Sequence, residues 1–136
     1  MNDYNTAVIE EFRANEGKVG GPFANATLLL LHHTGAKSGQ QRVNPLAYQK
    51  VGGAYAVFAS KAGAPTDPAW YHNLLAHPET TVEVGTRTIP VRARVAGPAE
   101  RDEIWARQVE RAPNFGEYAK KAAPRVIPVV ILDPIT

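Results

Sequence analysis

Residues 26–60 read ATLLLLHHTGAKSGQQRVNPLAYQKVGGAYAVFAS. The run Ala26–His33 is apolar without alternation, as in a strand covered on both faces. Thr34–Gln41 is a glycine-rich loop, Arg42–Val51 a second strand, Gly52-Gly53 a tight turn and Ala54–Ser60 a third strand. Working outward, Thr80–Val84 and Arg87–Val95 make another hairpin about Gly85-Thr86, and Val126–Leu132 closes the chain as a last strand. Pro90 has no N–H to give a ladder, which assigns its strand to an edge or a bulge. Helices fall between these hairpins. Residues 3–15 place Tyr4, Val8, Ile9 and Phe12 near one face, and Gly17, Gly20, Gly21 and Pro22 then break the chain. Asp67-Pro68 begins a helix, with Asp as N-cap and Pro at the first helical position, that ends near His77-Pro78. Gly97-Pro98 opens another through about Arg111, burying Ile104, Trp105 and Val109, and a short piece follows near Asn114–Lys121. Antiparallel hairpins with inserted helices make an α+β protein, a small β-barrel of five or six strands with flanking helices.

A chain of 136 residues reads as one domain, 1–136, with an N-terminal helix over 1–16. Its 44% apolar and 21% charged residues exclude disordered, collagen-like and coiled-coil classes. The absence of cysteine excludes a disulfide framework, a thiolate metal site, a cysteine nucleophile and an iron–sulfur cluster. No apolar run approaches the ~20 residues that span a bilayer, and no secretory signal opens the chain. The expectation is a cytoplasmic protein without stable membrane insertion, a peripheral position at the membrane being left open. The polar face of the first helix carries Glu10, Glu11 and Glu16 against Arg13 alone, so anionic lipid repels it. Docking over the barrel mouth is the expected alternative.

The net charge of +2 is unevenly placed. Residues 17–66 hold Lys18, Lys37, Arg42, Lys50 and Lys61 and no Asp or Glu. Such a stretch either faces an anion or is mostly buried strand. Thr34–Gly39 lacks the glycine before lysine that a Walker A loop requires, which excludes a nucleotide triphosphatase. Its backbone N–H groups, with Lys37 and Arg42, still make a nest for a phosphate or carboxylate, or else a solvated turn. His32 and His33 point to opposite faces of a strand, and His72 and His77 are poorly aligned on a helix, so no metal site is expected. No GxSxG occurs to support serine-hydrolase chemistry. Ser60–Ala64 follows an apolar strand, and Trp70, Tyr71 and Asn73 begin the next helix. An aromatic and an amide beside a cationic loop suit a planar anionic ligand, although a lone tryptophan is commonly core. Charge balance over 67–136 and the lack of a recognition helix argue against nucleic acid.

Thr34–Leu46 (TGAKSGQQRVNPL), Ala59–Ala64 (ASKAGA) and Pro68–Leu74 (PAWYHNL) come in that order and spacing, followed by His77-Pro78-Glu79, Val82–Gly85 and Ile127–Val130. Together they resemble the deazaflavin-dependent nitroreductase family, split β-barrel reductases that use coenzyme F-420 (an 8-hydroxy-5-deazaflavin) of actinobacteria. The resemblance covers roughly residues 25–133.

By that resemblance, Ala36, Lys37, Ser38 and Arg42 hold the cofactor phosphate, and Lys61 is a further cation with Ser60 beside it near the ring system. Backbone of Val43, Asn44, Pro45, Leu46 and Ala47 lies against the deazaflavin, with Phe58 and Ala59 from the next strand and Ala69, Trp70, Tyr71, His72 and Asn73 from the helix. The family's tyrosine trio over the substrate pocket falls on Ala112, Phe115 and Tyr118. Phe115 keeps the substrate wall without a hydroxyl, leaving Tyr118 as the catalytic proton donor, or solvent in its place. Ala47, small where some relatives carry tyrosine, widens the pocket. The implied chemistry is two-electron hydride transfer to a small-molecule electron acceptor: a quinone, an enone or an activated nitroaromatic. The alternatives are an FMN-dependent oxidoreductase on the same barrel and a non-catalytic F-420 carrier. Either a monomer or a homodimer is compatible with the sequence.

Overall fold

The computed structural model describes residues 3–17 and 27–135; the expected break at Gly20–Pro22, Lys18, Ala26 and the side chain of Tyr4 lie outside the described residues. Six strands close an antiparallel barrel: β1 (Leu28–Thr34), β2 (Gln41–Val51), β3 (Ala54–Phe58), β4 (Glu79–Val84), β5 (Arg87–Val95) and β6 (Val129–Pro134). Around the ring the order is β1-β2-β3-β6-β5-β4. β1 pairs with β2 from Leu28↔Ala47 to Thr34↔Gln41, whereas the ring closes between β1 and β4 through only Leu30↔Glu83 and Leu31↔Val82.

The period-2 alternation of side chains explains the unbroken apolar run. Leu29 and Leu31 point into the barrel with Val57, Val82, Val91 and Leu132. Leu28 and Leu30 point outward, under α1 (Asp3–Ala14), against Ile9 and Phe12. α2 (Ala69–Ala76) inserts Trp70 and Leu74 into the interior cluster. α3 (Pro98–Arg111) and α4 (Asn114–Ala122) cover the outside of β3 and β6, packing Ile104 and Phe115 on Ala56, Phe58, Val129 and Ile131.

Five expectations are corrected. Asp67 does not cap α2: Pro68 is the N-cap, and the Asp67 carboxylate accepts from Arg125 Nη1 at 2.7 Å, a charge-assisted bond that outcompetes a capping bond. β3 ends at Phe58, because Ser60 is already helical (φ −75, ψ −38) and leads into a 3₁₀ turn, Lys61–Gly63. The last strand starts at Val129 rather than Val126, which is 69% exposed. Pro90 stands on no edge, since every strand has two neighbours; it lies where the β5–β6 ladder ends, accepting from Ile135 N–H at 2.9 Å with no N–H to return. The first helix also lies elsewhere than expected. α1 runs along the outer wall of β1 and β2, on Leu28, Leu30, Val43 and Ala47, not across the barrel mouth. It is tied to β4 by Arg13, whose Nε and Nη2 donate to both Glu83 oxygens at 3.1 and 2.7 Å. Gly17 follows it with φ +90, and its Cα packs so closely on Gly85 that a Cβ would stand 2.7 Å from the Gly85 Cα.

Candidate functional site

The β1–β2 connection folds back on itself. Gly35 N–H donates to Gln40 O (2.9 Å), Gly39 N–H to Gly35 O (2.9 Å) and Gln40 N–H to Ser38 Oγ (3.2 Å). Ala36 N–H reaches Asn73 Oδ1 on α2 (2.9 Å). Among the described residues, the N–H groups of Lys37 and Ser38 have no partner; they are two successive donors at an exposed turn, free to meet an anion. Ala36 therefore contributes to the loop through its anchor on α2, not as a free donor.

Below the loop, Asn73 Nδ2 lies 2.9 Å from His33 Nδ1, and His33 Nε2 lies 2.6 Å from Asn44 Oδ1 on β2. Burial, first, and then the charges of Arg42 and His32 push the His33 imidazole below its usual range; the bond to Asn44 opposes them without prevailing. Three segments that the sequence pattern places at the cofactor are thus joined through a histidine weighed only as a metal ligand.

The second cationic segment is built around Arg125. Its Nε donates to Ala64 O (3.1 Å), its Nη1 to Ala59 O (3.0 Å) and Asp67 Oδ1 (2.7 Å), and its Nη2 to Ser60 O (2.9 Å) and Ala64 O (2.7 Å). Those are all the N–H groups a guanidinium has. Arg125 holds the turn without offering a donor to a ligand, whereas Lys61, exposed and at φ +48, extends from it with only Thr66 Oγ1 at 3.3 Å. The turn lies against α4: Gly63, at φ +83, leaves no room for a Cβ, which would stand 2.8 Å from Lys121 Cβ and 3.0 Å from Tyr118 O.

The remaining expected residues fall into two sets. Asn44 and Leu46 share the inward face of β2, while Val43, Pro45 and Ala47 share the outward one, all of them half-buried. Ala47 packs both on the cluster under α1 and on the cluster of Phe58 and Tyr118. Phe115 is 9% exposed, with ring centroids 5.4 Å from Phe58, 6.0 Å from Trp105 and 5.3 Å from Tyr118. Trp70 is 6% exposed in the barrel interior, so what it presents outward is backbone. Ala69 and His72 are exposed, and Tyr71 is half-buried with its hydroxyl held protonated by burial and then by the charge of Asp67. Ala59 is buried and Ser60 half-buried at the base of the Lys61 turn. The half-buried Tyr118 accepts from Asn114 Nδ2 at 3.1 Å.

The cations divide by whether they have carboxylate partners. Arg13, Arg92, Arg94, Arg101, Arg107, Lys120 and Arg125 all have carboxylate partners. Among the described residues, Lys37, Arg42, Lys50, Lys61, Arg87, Arg111 and Lys121 have none; Arg42 reaches only Gln40 Oε1 at 3.5 Å, and Lys50 sits over the Tyr55 ring. Lys50 stands at the far end of β2 from the loop, whereas Lys37 and Arg42 lie on it and beside it, and cations next to free amides fit a phosphate-bearing ligand. No group of His, Asp or Glu among the described residues could hold a metal, and no described helix is long and apolar enough to cross a membrane.

A closed six-stranded antiparallel barrel with free amides in the loop of its first hairpin defines a small split-barrel protein. The haem-storage protein HutZ of Vibrio cholerae has the same fold at 16% identity, with a TM-score of 0.60 over 97% of this chain and 91% of that one. At that identity the likeness is one of fold alone. A solved F-420-H2-dependent reductase is 40% identical, with a TM-score of 0.71, 79% of this chain and 94% of that one being covered. An F-420H(2)-dependent quinone reductase of Mycobacterium tuberculosis is 38% identical over 124 residues, 89% of this chain and 83% of that protein. The sequence profile of the F-420H(2)-dependent quinone reductases matches residues 5–134, and the chain belongs to that family.

Proposed function

We propose that the protein is a reductase that takes hydride from reduced coenzyme F-420 and delivers it to a quinone, acting as a single cytoplasmic domain. The observation that carries this reading is the pair of free amides at Lys37 and Ser38, beside the Lys37 and Arg42 side chains that lack carboxylate partners, in a chain of this family. The family relation favours F-420 over FMN. Lys37, Ser38 and Arg42 would take the phosphate, and Lys61 the next negative group along the cofactor. Backbone of residues 43–47 and of Phe58 and Ala59 would flank the ring, donors at a ring edge favouring negative charge there. When bound, the reduced deazaflavin supplies a hydride from its C5 carbon. Tyr118 would hold its hydroxyl proton ready for the acceptor oxygen, and Phe115 would fix the Tyr118 ring from the side.

The test is titration with F-420 and FMN separately, followed by fluorescence and thermal stability, in the native chain and in Lys37→Ala and Arg42→Ala. Each substitution should weaken F-420 binding ~10- to 100-fold, one charge-assisted bond's worth, and affinity should fall as salt rises. Unchanged binding in both variants removes the phosphate assignment; tighter binding of FMN than of F-420 removes the cofactor assignment. Tight F-420 binding with no turnover of any quinone, enone or nitroaromatic would leave a carrier.

A further inference from the structure

One backbone amide fixes the polarity of the bond chain beneath the loop. Ala36 N–H can only donate, so the atom of Asn73 facing it at 2.9 Å is the amide oxygen. Asn73 Nδ2 then faces His33 Nδ1, which has to accept and therefore carries no proton. The ring proton sits on Nε2 and is donated to Asn44 Oδ1. His33 is 2% exposed, too buried for water to substitute for either neighbour. Arg42, paired opposite it across β1 and β2, and His32, next in the strand, are the charges that act on it; Tyr71 and His72 of α2 form no hydrogen bond with the ring.

We propose that His33 is a positioning residue for the cofactor site: as the neutral Nε2–H tautomer it ties α2, the Gly35–Gln40 loop and β2 into one unit. The free amides of Lys37 and Ser38 and the Asn44 backbone are thereby placed before any ligand arrives. The imidazole itself touches no cofactor. Its effect is preorganisation, which strengthens binding by removing the ordering cost from the binding step. Protonation of Nδ1 would set an N–H against the Asn73 amide hydrogens, and turning that amide to suit would break the anchor at Ala36. The inference rests on the F-420 reading for the loop's ligand, but the bond chain is testable without it.

Three measurements decide the matter. In the unmodified protein near pH 7, nitrogen-15 NMR of the histidines should show His33 with Nε2 protonated and Nδ1 bare. A bare Nε2 or an imidazolium overturns the proposal. F-420 titrations of His33→Leu, Lys37→Ala and the double variant should then show coupling. His33→Leu should raise Kd ~10-fold, and Lys37→Ala should cost several-fold less in its background than in the native chain. Amide exchange at Ala36 should speed by at least ~10-fold while the β3 amides stay protected. Additive losses with unchanged Ala36 exchange overturn the proposal, because a merely packed histidine gives that result. Should His33→Leu not fold, Asn73→Ala breaks the same chain from α2 and is read against the same criteria. If the native protein binds no F-420, the functional reading fails, while the tautomer and the Ala36 exchange still judge the role of His33.

Discussion

Exchanging Arg125 for methionine keeps the unbranched stem of the side chain and removes every donor from the centre of the Ser60–Ala64 turn. Ser60 O retains a second partner in Gly63 N–H (2.9 Å), so the groups left wanting are Ala59 O, Ala64 O and the Asp67 carboxylate. A buried acceptor without a partner costs about 1–3 kcal/mol. Ala59 is fully buried and takes the upper part of that range; Ala64 and Asp67 are partly exposed, and water recovers some of their loss. The sum is about 3–4 kcal/mol. For a chain of 136 residues, at about 2.1 cal/mol/K of unfolding entropy per residue, that lowers Tm by about 10–14 °C. Arg125→Lys, with three donors on a point charge, should keep Asp67 and recover roughly half. The assay is thermal unfolding by circular dichroism, paired with limited proteolysis of the turn, where cleavage should appear before global unfolding. A loss below about 1 kcal/mol for Arg125→Met would refute the reasoning, since water would then satisfy those oxygens as well as the guanidinium does.

Gly63→Ala puts a Cβ against the α4 backbone at a positive φ and should destabilise by about 2–3 kcal/mol in urea titrations; a neutral result would mean that the turn can move off α4. Arg13, first, and then His32 hold the Glu83 carboxyl below its ordinary value of 4.5. With the folded value depressed, that stability is present above pH 4.5 and is lost as pH falls through the folded value. Glu83→Gln should accordingly flatten the acid limb of a Tm–pH curve, and an identical limb in both proteins would rule the contribution out. Tyr118→Phe should leave F-420 affinity within about twofold; a fall in turnover of ~10²–10⁴-fold marks a proton donor, a several-fold fall a hydrogen bond, and full activity leaves solvent as the proton source.

What could be read in advance follows the reach of the interactions concerned. The Leu28–Leu31 run, the Gly52-Gly53 hairpin and the Gly97-Pro98 helix start are local signals, and each stands in the structure at or within a few residues of its expected place. Arg125 carries no such signal. It sits in a short link after α4, and its partners lie 58 to 66 residues away, four of its five bonds going to main-chain carbonyls that look alike in any sequence. Asp67 was misjudged for the same reason, a local cap being the nearest role available to it. His33 was placed on the correct face by strand alternation, but its partner Asn73 is 40 residues distant, and adjacency to His32 drew attention to metals instead. Phe115 and Trp70 show the reverse limit: an aromatic residue beside a binding loop has the same letter whether it covers a ligand or fills the core.

The joint between β1 and β4 has the shortest ladder in the ring, and the Thr80 hydroxyl also donates to His32 O across it. Everywhere else a ladder of four to seven paired positions binds neighbours, but β1 meets β4 at two. α1 lies to one side of that joint, with Ile9 and Phe12 on β1 and β2, and reaches over it with Arg13 to Glu83 of β4, while Glu83 also meets His32 of β1 at 2.7 Å. A barrel that opens along a single line becomes a sheet with two raw edges at once, each shaped to receive the other from a second molecule. One of those edges would be the strand that begins with four consecutive leucines. Through Arg13 the N-terminal helix ties the two strands whose separation would expose those edges.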